Sequence, residues 1–101
     1  MEKQEIKKKI KEAIEKNPHK EDIKKVFLFG SYAKGTAKKN SDVDVLIEFK
    51  PSALVGFFKF VEIQDSIGNH IGKTVDLLTP EAISKYFRDE VLSQSESIYG
   101  E

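Results

Sequence analysis

Residues 30–44 read GSYAKGTAKKNSDVD, and the segments on either side of this stretch decide the fold. Immediately before it, Val26, Phe27, Leu28 and Phe29 form a short apolar run stopped by Gly30, the pattern of a buried strand. Immediately after it, Val43, Val45, Ile47 and Phe49 alternate with Asp42, Asp44 and Glu48, so residues 42–49 read as a strand with one polar face. Asp42 and Asp44 then share that face. Two carboxylates about 7 Å apart along a strand repel each other unless a cation lies between them. Hard oxygen ligands suit magnesium, which takes one or two protein carboxylates and completes its shell with water and substrate phosphates. A metal here implies a phosphate-bearing ligand.

Gly30 and Ser31 fit the other half of that ligand. A glycine lets the backbone approach closely, successive amides at a helix start can point at phosphate oxygens, and the serine hydroxyl adds a donor. Lys34, Lys38 and Lys39 lie in the same loop and supply positive charge. Each feature alone has a plainer reading. Gly-Ser after a strand is a tight turn, Asp-x-Asp is the solvated face of a strand, and the three lysines are a solvated loop. Their order and spacing together are what a phosphate loop facing a carboxylate metal site requires.

Upstream, Ile6, Ile10, Ala13 and Ile14 recur among lysines and glutamates as one narrow apolar stripe on a helix that Asn17 and Pro18 end. Downstream, residues 54–67 are helical in period but unusually apolar. Leu54, Val55, Phe57, Phe58, Phe60, Val61, Ile63 and Ile67 cover more than one face, which makes part of this helix a candidate partner contact. Gly68 and Gly72 bracket a turn before a third strand, residues 73–78, where Asp76 sits among Val75, Leu77 and Leu78. A carboxylate in that setting needs a partner, and beside the second strand it joins Asp42 and Asp44 as a third ligand. Thr79, Pro80 and Glu81 then supply an N-cap, an N1 proline and a first-turn acid for a closing helix through about Leu92. His70 reads as a turn or surface histidine without a role.

Roughly twenty residues separate the second and third strands, enough for a helical crossover and hence parallel pairing. The shorter link between the first two permits antiparallel pairing. The expectation is an α/β (α+β) fold with a three-stranded mixed sheet and about four helices packed on it. At 101 residues it forms one domain, 1–101, divided into an N-terminal helix (1–20), a catalytic core (26–79) and a C-terminal helix and tail (80–101).

Composition narrows the chemistry. No cysteine is present, which excludes disulfides, thiolate metal sites and thiol nucleophiles. Lysine plus arginine equal aspartate plus glutamate at 17 each, so the basic surplus of a strong non-specific nucleic-acid binder is missing. That balance conceals a split, +6 over residues 1–40 and −6 over residues 41–101, with the glycine-serine loop in the first part and the aspartates in the second. No run of about 18 apolar residues occurs and the start MEKQEIKKK lacks a signal-peptide core, so no membrane association and a cytoplasmic location are expected.

The stretch GSYAKGTAKKNSDVDVLIEF, followed after a helix by GKTVDLLTPEAI, resembles the minimal nucleotidyltransferases of the DNA polymerase β-like superfamily. The signature of that family is Gly-Ser, ten residues, then Asp-x-Asp, and Gly30, Ser31, Asp42 and Asp44 match it without a gap; Asp76 corresponds to the later strand aspartate. One departure is Lys34, where relatives often carry arginine, which keeps the charge but loses the bidentate fork. The resemblance implies that Gly30 and Ser31 hold the phosphates of ATP. It implies that Asp42 and Asp44 are catalytic and, with Asp76, hold magnesium, two ions in all. It further implies an antitoxin of a toxin–antitoxin pair that transfers AMP to a tyrosine of a HEPN-domain ribonuclease toxin. Two other classes stand beside this: a non-catalytic module that neutralises its partner by covering it, and a nucleotidyltransferase acting on RNA ends or a small hydroxyl compound. Three mutually repelling acids beside a phosphate loop disfavour the first. Neutral total charge and the absence of a second domain disfavour the second.

Overall fold

The computed structural model describes residues 2–100. Four helices and four strands follow one another as α1 (Lys3–Glu15), β1 (Ile23–Phe29), α2 (Gly30–Lys34), β2 (Val43–Phe49), α3 (Phe57–Ile71), β3 (Val75–Leu78), α4 (Lys85–Gln94) and β4 (Glu96–Tyr99). The sheet runs β3-β2-β1-β4, with β1 antiparallel to both β2 and β4 and β2 parallel to β3. The parallel pairing across the α3 crossover and the antiparallel β1–β2 pair are the two relations expected from link lengths. The fourth strand was not expected, since residues 80–101 read as a helix and tail. ESIY is four residues long, and Ile98 is its one fully apolar anchor.

Strand alternation sorts the sheet into two unlike faces. On one face Val26 and Leu28 of β1, Val43, Val45 and Ile47 of β2, Val75 and Leu77 of β3 and Ile98 of β4 form the core with α1 and α3. The stripe read on α1 is its buried face: Ile6, Ile10 and Ile14 are wholly buried and Ala13 nearly so. Each such isoleucine contributes about 1.5–3 kcal/mol of transfer free energy. α3 adds Ile63, Ile67 and Ile71. Its left-handed C-cap, Gly72 at φ 72°, turns the chain into β3.

The opposite face carries two cross-strand rows. Phe29, Asp44 and Asp76 are register partners in one, and Phe27, Leu46 and Leu78 in the next. Leu46 is wholly buried. The 3₁₀ turn Pro80–Ala82 lies against β2 and α4 against β1, while Asp76 stays exposed and Asp44 half-exposed.

Several boundaries differ from the sequence reading. Thr79 and Pro80 open only that 3₁₀ turn; the closing helix starts later, with Ser84 as N-cap accepting from the Tyr86 amide at 3.4 Å, and runs to Gln94. Arg88 holds the connection by donating to the carbonyls of Pro80 and Ile83 at 2.8 and 3.1 Å. α3 begins at Phe57 rather than Leu54, because Gly56 is its extended N-cap. Ion pairs tie the layers: Lys3 and Lys7 of α1 reach Glu96 of β4 at 2.7 and 3.2 Å, and Lys59 of α3 reaches Asp22 at 2.9 Å.

Candidate active site

Asp44 is the centre of the carboxylate row. It lies half-buried on β2, directly opposite the exposed Asp76 of β3. Asp42 precedes β2 rather than belonging to it, so it reaches Asp44 from a loop and not by strand alternation. Its backbone is set by the strand that follows, where the Val43 amide donates to the Thr74 carbonyl at 3.0 Å. Burial, then Asp76, then Asp42 push the Asp44 carboxyl above its ordinary pKa. Both neighbours therefore lie close enough to act on Asp44 as like charges.

Gly30 stands behind the same carboxylate. At φ 72° it makes the sharp junction between β1 and α2, and a Cβ built there would overlap Asp44 Oδ2. The glycine thus permits both the backbone conformation and the contact. Ser31 follows on the first turn of α2, half-buried, where amides lack intrahelical acceptors. Its carbonyl accepts from the Thr36 amide at 2.9 Å, which closes the short helix at the left-handed Gly35. All five site residues named from the sequence thus sit at one end of the sheet on its open face or in the loops bordering it.

The loop lysines do not act as one group. Lys34, Lys38 and Lys39 are all exposed, and Lys34 borders a small cavity of about 220 Å³ with Gly30 and the α4 residues Val91 and Gln94. Sequence reading missed Lys73. Its ammonium lies 5.8 Å from the centre of the Tyr32 ring and donates to the Lys39 carbonyl at 3.4 Å, so one side chain spans α2, the loop and the start of β3. With Lys39 and Asp42 it borders a cleft of about 280 Å³. A lysine right after the turn glycine of the third strand was the available signal. His70 pairs with Glu12 of α1 at 3.2 Å, away from the carboxylates, in keeping with a surface role.

Among the described residues no group of three histidine, cysteine, aspartate or glutamate side chains is gathered tightly enough to form a ready metal cage. The donor set nevertheless suits a hard divalent cation: every donor is a carboxylate oxygen, and Asp44 carries a like-charge burden that a cation offsets. Magnesium in particular needs only one or two protein carboxylates when phosphate oxygens fill the remaining positions.

Comparison with known proteins places the family and the fold. The family model described as "Nucleotidyltransferase domain" matches residues 6–98. The chain is 34% identical over 74 residues to the protein adenylyltransferase MntA of Thermococcus cleftensis, covering 71% of each. It superposes with a TM-score of 0.75 on a chain from a toxin–antitoxin crystal structure with AMP-PNP, at 23% identity, covering 94% of this chain and 73% of that one. A structure of a tri-AMPylated HEPN toxin from Shewanella oneidensis in complex with its MNT antitoxin gives a TM-score of 0.67 at 19% identity, covering 98% and 73%. These two structural likenesses concern the fold. No helix among the described residues is long and apolar enough to cross a membrane.

Proposed function

The chain belongs to the nucleotidyltransferase domain family and is a nucleotidyltransferase, and from that premise we propose that it is an antitoxin that transfers AMP from ATP to a tyrosine hydroxyl of a HEPN-domain toxin. The observation that carries the reading is the carboxylate row: Asp44 opposite Asp76, Asp42 within reach, and Gly30 behind Asp44. The adenylyltransferase name of the Thermococcus relative and the AMPylated toxin in the Shewanella complex support the acceptor class.

In this reading Asp42, Asp44 and Asp76 hold magnesium, which when bound neutralises phosphate charge and favours ionisation of the attacking hydroxyl. The residues of this chain do the rest. Gly30 and Ser31 present backbone and hydroxyl donors to the β and γ phosphates. Lys73 and the loop it braces fix the position of Asp42 relative to α2. The tyrosine oxygen, with an ordinary pKa near 10, bonds to the α-phosphorus while the bond from that phosphorus to the bridging oxygen breaks. Pyrophosphate leaves with that oxygen, and the hydroxyl proton passes to the exposed Asp76 carboxylate or to solvent.

The test is a pair of labels. ATP labelled at the α-phosphate, with magnesium and the toxin, is expected to label the toxin; ATP labelled at the γ-phosphate is expected to leave it unlabelled. Transfer of γ label would identify a kinase and overturn the reading, and tight binding with no label from either position would favour a covering module.

A further inference from the structure

Leu54, Phe57 and Phe58 stand in solvent at the start of α3, exposed by 87%, 74% and 85%. The helix does not need them for its own packing. Its core stripe is complete in Ile63, Ile67 and Ile71, and Phe60 packs on Phe49 with ring centres 6.4 Å apart. Phe57 and Phe58 meet edge to face at 5.7 Å, so the two rings form an ordered pair. Below them opens a groove of about 370 Å³ whose walls include Val55, Phe57, Phe60, Leu77, Leu78 and Thr79. Leu78, two residues beyond Asp76 on β3, lies on the same face of the strand as that carboxylate. An apolar groove therefore reaches, at Leu78, the strand face that carries Asp76 and ends at an uncovered aromatic rim.

We propose that this groove and its rim dock the protein acceptor, with an apolar segment of the acceptor lying along Leu78 against the Phe57–Phe58 pair while the hydroxyl to be modified reaches Asp76. This rests on the protein-modifying reading above and adds to it the surface through which the acceptor is recognised. Three considerations select this occupant. A small hydroxyl compound filling the space at Asp76 would leave both phenylalanines in water. The three rim side chains expose on the order of 450 Å² of apolar surface, given that a large side chain presents about 150–250 Å². That is well below the roughly 800 Å² per partner of a stable specific interface, so a second copy seated on the rim alone falls short. A protein acceptor must also cover the neighbouring carboxylate row to be modified, and that contact supplies the remaining area.

The experiment measures the dissociation constant of the full chain for the HEPN-domain toxin without nucleotide, for the wild type, F57S, F58S and the double variant. Labelling is followed separately. Because both side chains are exposed, the variants are expected to melt within a few degrees of the wild type and to keep the magnesium–ATP stabilisation. Affinity for the toxin is expected to fall about tenfold or more for each ring removed, the loss typical of an aromatic anchor. Such a loss sustains the docking surface even if no label is transferred, in which case only the catalytic reading fails. Unchanged affinity in the double variant overturns the proposal even if label transfer proceeds. A wild-type dimer in solution that the double variant converts to monomer also overturns it, by assigning the rim to a second copy.

Discussion

Gly30 has no Cβ, and the space one would fill belongs to the Asp44 carboxylate. A Gly30→Ala change therefore meets two costs together: a left-handed backbone at φ 72° that alanine resists, and an overlap that drives Asp44 from its place. The expected loss is about 2–4 kcal/mol of stability in denaturant titrations, accompanied by loss of label transfer. Asp44→Asn should separate those effects. Burial, Asp76 and Asp42 all disfavour the charged form of Asp44 in the folded protein, so the native state keeps the proton to higher pH than the unfolded chain. By linkage the fold loses stability as pH rises from the ordinary carboxylate range through the raised value, and the penalty is present once Asp44 is ionised. The uncharged amide of the variant escapes it. Thermal melts at pH 7 should place the variant at or above the wild type, the gap closing below the ordinary pKa, while transfer falls by more than about 10²-fold, the scale reached when only the supporting partner of a metal ligand is lost. A variant that unfolds instead would mark Asp44 as a structural acid. Both residues were singled out in the sequence by the order and spacing of Gly30, Ser31, Asp42 and Asp44 together, since each feature alone has a plainer reading. Lys73 was not: a lysine after a turn glycine marks the position, but its role arises from three segments converging on one ammonium.

At the scale of elements, the strands with a strong local pattern were readable and the short one held by distant contacts was not. β1, β2 and β3 announce themselves by apolar runs or alternation. β4 has four residues, ESIY, and its place at the sheet edge rests on pairing with β1, on Ile98 in the core and on contacts from Lys3 and Lys7 of α1, more than eighty residues away. The same nonlocality explains the late start of α4, where Thr79 and Pro80 satisfy every N-terminal rule but Arg88 ties the chain into a bend over residues 80–83. The Glu96 contacts can be measured. Hydrogen bonds from Lys3, then Lys7, hold its carboxyl below the ordinary value of 4.5. A depressed carboxylate pKa contributes stability that is present above the unfolded value and lost as pH falls through the folded one. Glu96→Gln should therefore lower the melting temperature at pH 7, the difference shrinking with added salt and vanishing in acid. As the pair is partly exposed, the loss is expected to be at most about 1 kcal/mol. An equal loss at low pH would assign the effect to packing.

For the whole molecule the decisive quantity is the coupling between metal and nucleotide. With a radius of gyration of 12.7 Å, the protein has about the compactness of any hundred-residue domain, and its carboxylates lie on an open face. ATP alone brings further negative charge to that face, and magnesium alone finds no ready cage. Each then stabilises little, whereas together they should add about 2.7 kcal/mol once present at a hundredfold over the dissociation constant. Melting curves with ATP, with magnesium and with both will measure the coupling. An equal shift from ATP alone would sink the metal reading. The division of the sheet has one more consequence. Along β2 the side chains that hold the molecule together and the side chain assigned the chemistry belong to alternate residues of a single strand, facing opposite ways. Selection can therefore act on the two separately. Catalysis can drift, or be abandoned in favour of mere binding, by changes at 44 and 76 that leave the isoleucine and valine layer untouched. A lineage built on this scaffold can retain its shape long after its reaction has been lost or replaced.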